Sequence, residues 1–221
     1  MADTLITNAR LLDPASGLDA PGALLIRDGL IADCGAGLTA PEGAAVVDAA
    51  GACLAPGLID LRANLGEPGA EHRETIASAA QAAAAGGITT ICVLPDTDPA
   101  LDDPALISFI ARRGEATGSV TLLPYGAATA GCAGKELAEY GLLREAGAIA
   151  FTDGVRAIAS ARSMRLALSY ARAFGSFIVQ HPEEPKFLGV SSLCIRGLLH
   201  HCVFQNPYPS VGLHTPQGQF Y

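Results

Sequence analysis

From Cys53 onward, short apolar runs alternate with stretches of helical period, and that rhythm leaves few folds open. Strands separated by helix-length crossovers pair in parallel, with the helices covering the faces of the sheet. The apolar runs place strands at Leu54–Leu61, Ile88–Leu94, Val120–Pro124, Ala148–Phe151 and Phe177–Gln180. Helices are expected at about Glu71–Ala85, Asp103–Thr117, Gly134–Ala146 and Ser160–Phe174, with Gly86-Gly87 stopping the first. That makes four βα units and the start of a fifth in an α/β chain. This is the pattern of an incomplete (β/α)8 TIM-type barrel, since closing one takes about 250 residues.

The residues before this region read differently. Leu5–Leu12, Ala23–Arg27 and Leu30–Cys34 are strand-like, and Asp28-Gly29 between the last two is a two-residue hairpin signal. They predict a small N-terminal β-sandwich segment over 1–54, followed by the barrel-like segment over 55–185. Residues 186–221 break with both. They hold no Ala, Asp or Glu, yet carry three of the five His and five of the twelve aromatics, without helical or strand period. The tail reads as frame-shifted or disordered, with the change close to Pro185. Its Cys194, His200, His201, Cys202 and His214 match no common zinc spacing.

Composition removes several classes of function. Half of the residues are hydrophobic and 16% are charged, enough for a sizeable core. The net charge of −8 lacks the basic patch that nucleic acid requires. No apolar run approaches the ~18 residues of a membrane span, and Met1–Leu5 lead directly into a strand. With six scattered cysteines and no C-x-x-C pair, the expectation is a cytoplasmic protein with reduced thiols.

Function in a parallel α/β barrel resides where the strands end. The first strand ends in Pro56-Gly57-Leu58-Ile59-Asp60-Leu61-Arg62-Ala63-Asn64-Leu65-Gly66-Glu67-Pro68-Gly69, followed by Glu71-His72-Arg73-Glu74-Thr75. This run resembles the dihydroorotase signature P-G-x-I-D-x-H-x-H-L-R-x-P-G with its E-H-x-E-T helix start. The resemblance continues at Ala82–Thr90 (A-A-A-A-G-G-x-T-T) and at Leu94–Pro99 (M-P-N-T-N-P). It continues further at Phe151–Gly154 (F-S-D-D-G) and at Val179–Glu184 (V-x-H-x-E-D), and covers roughly residues 1–185.

What the resemblance implies is a zinc-dependent cyclic amidase of pyrimidine biosynthesis, and here the sequence departs from its family. The two His of H-x-H, which face one side of a strand and share a metal, are Arg62 and Asn64. A guanidinium has no lone pair to donate, and an amide offers only a neutral oxygen. Of the family's ligands, the resemblance leaves Asp153 and His181, against the three that a catalytic zinc needs. The family's Arg for the substrate carboxylate is Gly66, and its motif Asn is Asp96. Both changes disfavour an anion such as dihydroorotate. Arg62 is expected to pair with Asp153 across the barrel mouth. His72 reads as a surface residue, and Glu71, Glu74, Asp102 and Asp103 suit helix N-termini.

Three readings follow. The first is a non-catalytic dihydroorotase-like protein needing no cofactor, resembling homologues that act as structural partners of aspartate transcarbamoylase. The second is an active cyclic-amide hydrolase of the dihydroorotase, allantoinase or hydantoinase type, using zinc at an altered site. The third is a truncated product without stable function. An open row of strands also predicts self-association.

Overall fold

The computed structural model describes residues 3–158 and 160–181. The expectations for the tail lie outside the described residues. The chain divides into two units between Leu58 and Ile59.

In the first unit, β1 (Thr4–Asp13), β2 (Leu18–Arg27) and β3 (Leu30–Gly35) form an antiparallel meander. The β2–β3 turn is the expected Asp28-Gly29, both residues at positive φ. On the other side of β1, β4 (Ala45–Asp48) and β5 (Cys53–Leu54) pair parallel to it. All five strands thus join one sheet. Leu5, Ala9, Leu11 and Ala23 are its buried residues.

The expected first strand, Leu54–Leu61, is in fact two. Leu54 belongs to β5, and β6 runs from Leu58 to Ala63. Pro56 has no N–H for a ladder, and with Gly57 it interrupts the run. Beyond β6 come α1 (Ile76–Ala85), β7 (Ile88–Val93), α2 (Pro104–Thr117), β8 (Thr121–Pro124) and β9 (Gly126–Ala127). A 3-10 turn at Ala130–Cys132 precedes α3 (Tyr140–Glu145), β10 (Phe151–Thr152) and α4 (Ala161–Ala173).

The strands succeed one another in chain order. β6, β7 and β8 form one sheet, with β7 parallel to β8. β9 runs parallel to β10, and Ile149 N–H donates to Pro124 O, linking this pair to the end of β8. Phe151 in turn bonds Phe177 O and Val179 N–H, so residues 177–179 take the next place.

Helices α1 and α2 cover the sheet through one face each. Ile76, Ala79, Ala80 and Ala83 are buried on α1, and Ile107, Ile110 and Gly114 on α2, both at helical spacing. Each buried isoleucine contributes about 1.5–3 kcal/mol. At Gly114 the helix lies so close to β8 that a Cβ would come within 2.8 Å of Leu122 Cβ. Tyr140 stacks on Phe151 with centroids 4.0 Å apart and donates its hydroxyl hydrogen bond to Ala128 O at 2.8 Å. Ile59, Leu61 and Phe177, at the two ends of the strand succession, are more than half exposed.

Two helices are shorter than their periodicity implies. α1 begins at Ile76 because Thr75 and Ser78 form a reciprocal capping box, leaving Glu71–Glu74 in the preceding turns. α3 begins at Tyr140, six residues later than expected. The intervening segment is tied back by a bridge between Thr129 and Leu137, and Gly134 sits at φ +73°.

Candidate functional site

Every site position named from sequence lies where a strand of the second unit ends or in the loop beyond. Arg62 lies near the end of β6 and Asn64 just past it, and both are exposed. Arg62 Nη2 donates to Gly154 O at 3.0 Å and approaches His181 Nδ1 at 3.1 Å. A guanidinium only donates, so a hydrogen bond in this contact needs Nδ1 as its acceptor. Asn64 Nδ2 donates to Asp96 Oδ1 at 3.2 Å, and Val155 N–H reaches Asp96 Oδ2 at 3.4 Å. Asp96 therefore ties the end of β6 to the loop after β10.

Asp153 is engaged elsewhere. Its side chain is buried, Thr129 N–H donates to Oδ1 at 2.8 Å, and Thr129 Oγ1 donates to Oδ2 at 2.6 Å. Thr129 is itself fully buried and accepts Gly134 N–H at 2.7 Å. Burial pushes the Asp153 carboxyl above the usual carboxylate range, against the opposing hydrogen bonds from Thr129. The expected Arg62–Asp153 pair does not form. Among the described residues the ion pairs are Arg10–Asp19, Arg27–Asp3 and Arg113–Glu67. The reason is competition: a threonine one strand away supplies two short donors, while Arg62 finds a backbone carbonyl and an imidazole at the surface.

Two glycines shape the same mouth. A Cβ on Gly66 would come within 2.5 Å of Glu74 O and 2.7 Å of Ala70 O, so the backbone leaves no room there for a side chain. Gly154 lies at φ +65°, and a Cβ on it would run into the Asp96 carboxylate. Asp103 caps α2 through Ala105 N–H, as its place at a helix start implies, whereas Asp102 accepts Gly131 N–H and Glu71 accepts Gly69 N–H. His72 is exposed.

The donor set does not fit a catalytic zinc. Among the described residues, no three His, Cys, Asp or Glu side chains converge as a metal site would require. Both Asp153 oxygens accept hydrogen bonds from Thr129, and His181 Nδ1 faces the Arg62 guanidinium.

Two structural residues escape a reading of the sequence. Thr129 gives no signal, because a threonine after a strand is ordinary. Glu67 is only 4% exposed, accepts Ile76 N–H at 2.8 Å and pairs with Arg113 of α2 at 3.1 Å, fastening the β6–α1 loop to both helices. Its one cue is a carboxylate nine residues before a helix start.

Residues 51–192 match the protein family described as dihydro-orotase-like. The dihydroorotase of Pelobacter propionicus is 44% identical over 185 residues, which are 84% of this chain and 44% of the relative. That of Geobacter sulfurreducens is 42% identical over 185 residues, with the same shares. This chain therefore spans less than half the length of these curated relatives. Among solved structures, the L-hydantoinase (dihydropyrimidinase) from Arthrobacter aurescens aligns with a TM-score of 0.70 at 24% identity, over 85% of this chain and 42% of that one. The D-hydantoinase (dihydropyrimidinase) from a Thermus species gives 0.61 at 22% identity, over 84% and 41%. These two likenesses speak for the fold alone, an α/β fold like that of amidohydrolase barrels, while the family model and the curated relatives settle descent: the chain belongs to the dihydro-orotase-like family.

Proposed function

We propose that this chain is a dihydro-orotase-like protein that does not run zinc-dependent ring hydrolysis. The observation that carries this reading is the Arg62 guanidinium, fastened to Gly154 O and His181 Nδ1 at the strand ends where the resemblance puts a metal. A fixed cation there opposes a divalent ion. Gly66 adds support, since its crowded backbone cannot carry the arginine that the resemblance assigns to an anionic substrate.

On this reading residues 59–181 are the first part of a (β/α)8 barrel, and the chain acts by binding. The partner that the resemblance names is aspartate transcarbamoylase.

The test is ring opening of dihydroorotate by the purified chain, with zinc supplied, alongside metal content after dialysis. No turnover above background and well under one zinc per chain are expected. Zinc-dependent turnover abolished by a chelator overturns the reading. Mixing with purified aspartate transcarbamoylase on a sizing column tests the partner separately.

A further inference from the structure

We infer that Asp153 is a staple for the loop following β9 and not a remnant metal ligand, so that restoring histidines at positions 62 and 64 would not bring it into a metal site. The inference deepens the non-metal reading of the mouth but concerns a different residue. Three observations carry it.

The first is satisfaction. Both Asp153 oxygens accept hydrogen bonds from a single buried partner, Thr129, at 2.8 and 2.6 Å, which fixes the carboxylate on the loop. The second is continuity. The Thr129 hydroxyl donates to Asp153 and accepts from Gly134 N–H, so carboxylate, hydroxyl and loop backbone form one buried chain of bonds holding residues 129–134. Turning Asp153 towards the mouth would strand two buried donors of Thr129. The third is the motif itself. The resembled F-S-D-D-G carries two successive acids, whereas Phe151-Thr152-Asp153-Gly154 carries one. The residue after Asp153 is Gly154, whose carbonyl takes Arg62 and whose φ of +65° turns a Cβ into Asp96. The acid retained is thus the one that holds the loop, and the position after it is a buried glycine with a left-handed backbone that turns any Cβ into Asp96.

The test compares zinc binding by full-length R62H/N64H with that by R62H/N64H/D153N, using cobalt(II) absorption as a second readout of the ligand set. Either no uptake by R62H/N64H, or uptake that changes less than about threefold with Asp153→Asn, is expected. Uptake that weakens more than tenfold on removing the carboxylate overturns the inference, as loss of a ligand would require. Thr129→Val in the R62H/N64H background is the second probe, and serves also where Asp153→Asn fails to fold. A staple leaves zinc affinity within threefold, whereas a partner that orients a metal ligand changes it by 10- to 100-fold. In the native background, Thr129→Val and Asp153→Asn should each lower the melting temperature by a few degrees and together by little more than the larger one. Additive shifts overturn the coupling. Because hydrolysis is not the readout, this inference can fail while the proposed function stands, and the reverse.

Discussion

Arg62 and Asp153 occupy corresponding places, each where a strand of the second unit ends, and the fold treats them in opposite ways. Asp153 is buried with both oxygens bonded to Thr129, while Arg62 lies exposed on a carbonyl and an imidazole. The difference teaches how burial decides which strand-end residue a fold can exchange. A residue at an open mouth can be exchanged at small cost, because water solvates whatever replaces it. One whose oxygens satisfy buried donors cannot, because the donors are stranded when it goes. The bonds of Asp153 to Thr129 are thus enough to account for an acid at this place through folding alone.

The largest effect that would sharpen this contrast is kinetic. Cys132 sits in the stapled loop, 2% exposed, with its thiol pushed up to about 12, chiefly by burial. Below about pH 9 the unfolded chain and the folded one both hold that proton; above it, burial of the thiol costs stability as the unfolded state ionises first. At pH 8 the scarcity of thiolate alone slows alkylation on the order of a thousandfold relative to an ordinary thiol. Peptide-resolved labelling should find Cys34 and Cys53, both exposed, modified long before Cys132. Asp153→Ala should remove most of that protection. Rapid labelling of Cys132 in the native chain would mean that the loop is not held, and the comparison would lose its buried half.

In equilibrium terms, Asp153→Ala leaves the Thr129 N–H and hydroxyl without their acceptor, and should cost about 3 kcal/mol in urea unfolding. Glu67→Ala should cost about 2 kcal/mol, since it strands Ile76 N–H at the start of α1. The half-exposed Arg113 contributes little of that, its side chain being 52% exposed. A Glu67→Ala loss exceeding that of Asp153→Ala would move the critical staple from the β9 loop to the β6–α1 loop.

Which of these residues could be read without a structure follows from how far each interaction reaches. The motif's position was enough to put Arg62 and Asn64 at the end of β6, because a strand's end is a local property. The expected strands Ile88–Leu94 and Val120–Pro124 differ by one residue at one end from β7 and β8, because their apolar residues are flanked by helix and turn signals. The split of the first strand also had a local cause, Pro56-Gly57, whose meaning was outweighed by the apolar run around it. The start of α1 was missed because Glu71 and Glu74 mimic an acidic first turn, whereas the reciprocal bonds of Thr75 and Ser78 set the boundary. Asp153 was misread for a different reason. Its partner is 24 residues away, and nothing in a lone Thr129 distinguishes a buried donor from a surface hydroxyl. The destination of Arg62 was equally non-local, resting on a carbonyl 92 residues on. Motif descent located the site; competition among donors within it decided the pairings.

The smallest effect is the most decisive for the comparison. Arg62→Ala removes two hydrogen bonds from an exposed guanidinium, freeing Gly154 O and His181 Nδ1. Had Arg62 paired with a buried Asp153, its loss would leave an uncompensated interior charge and cost about 3–5 kcal/mol. With Asp153 already bonded to Thr129, the released groups are the carbonyl of the buried Gly154 and a partly exposed imidazole, and loss of the exposed Arg62 side chain opens both to water. The expected cost is therefore about 1 kcal/mol or less. Added salt should leave it nearly unchanged, because neither bond lost runs to an anion. Urea unfolding of wild type and Arg62→Ala at two salt concentrations measures both quantities. A loss near 4 kcal/mol that shrinks with salt would restore the ion pair and make the two sides of the mouth alike.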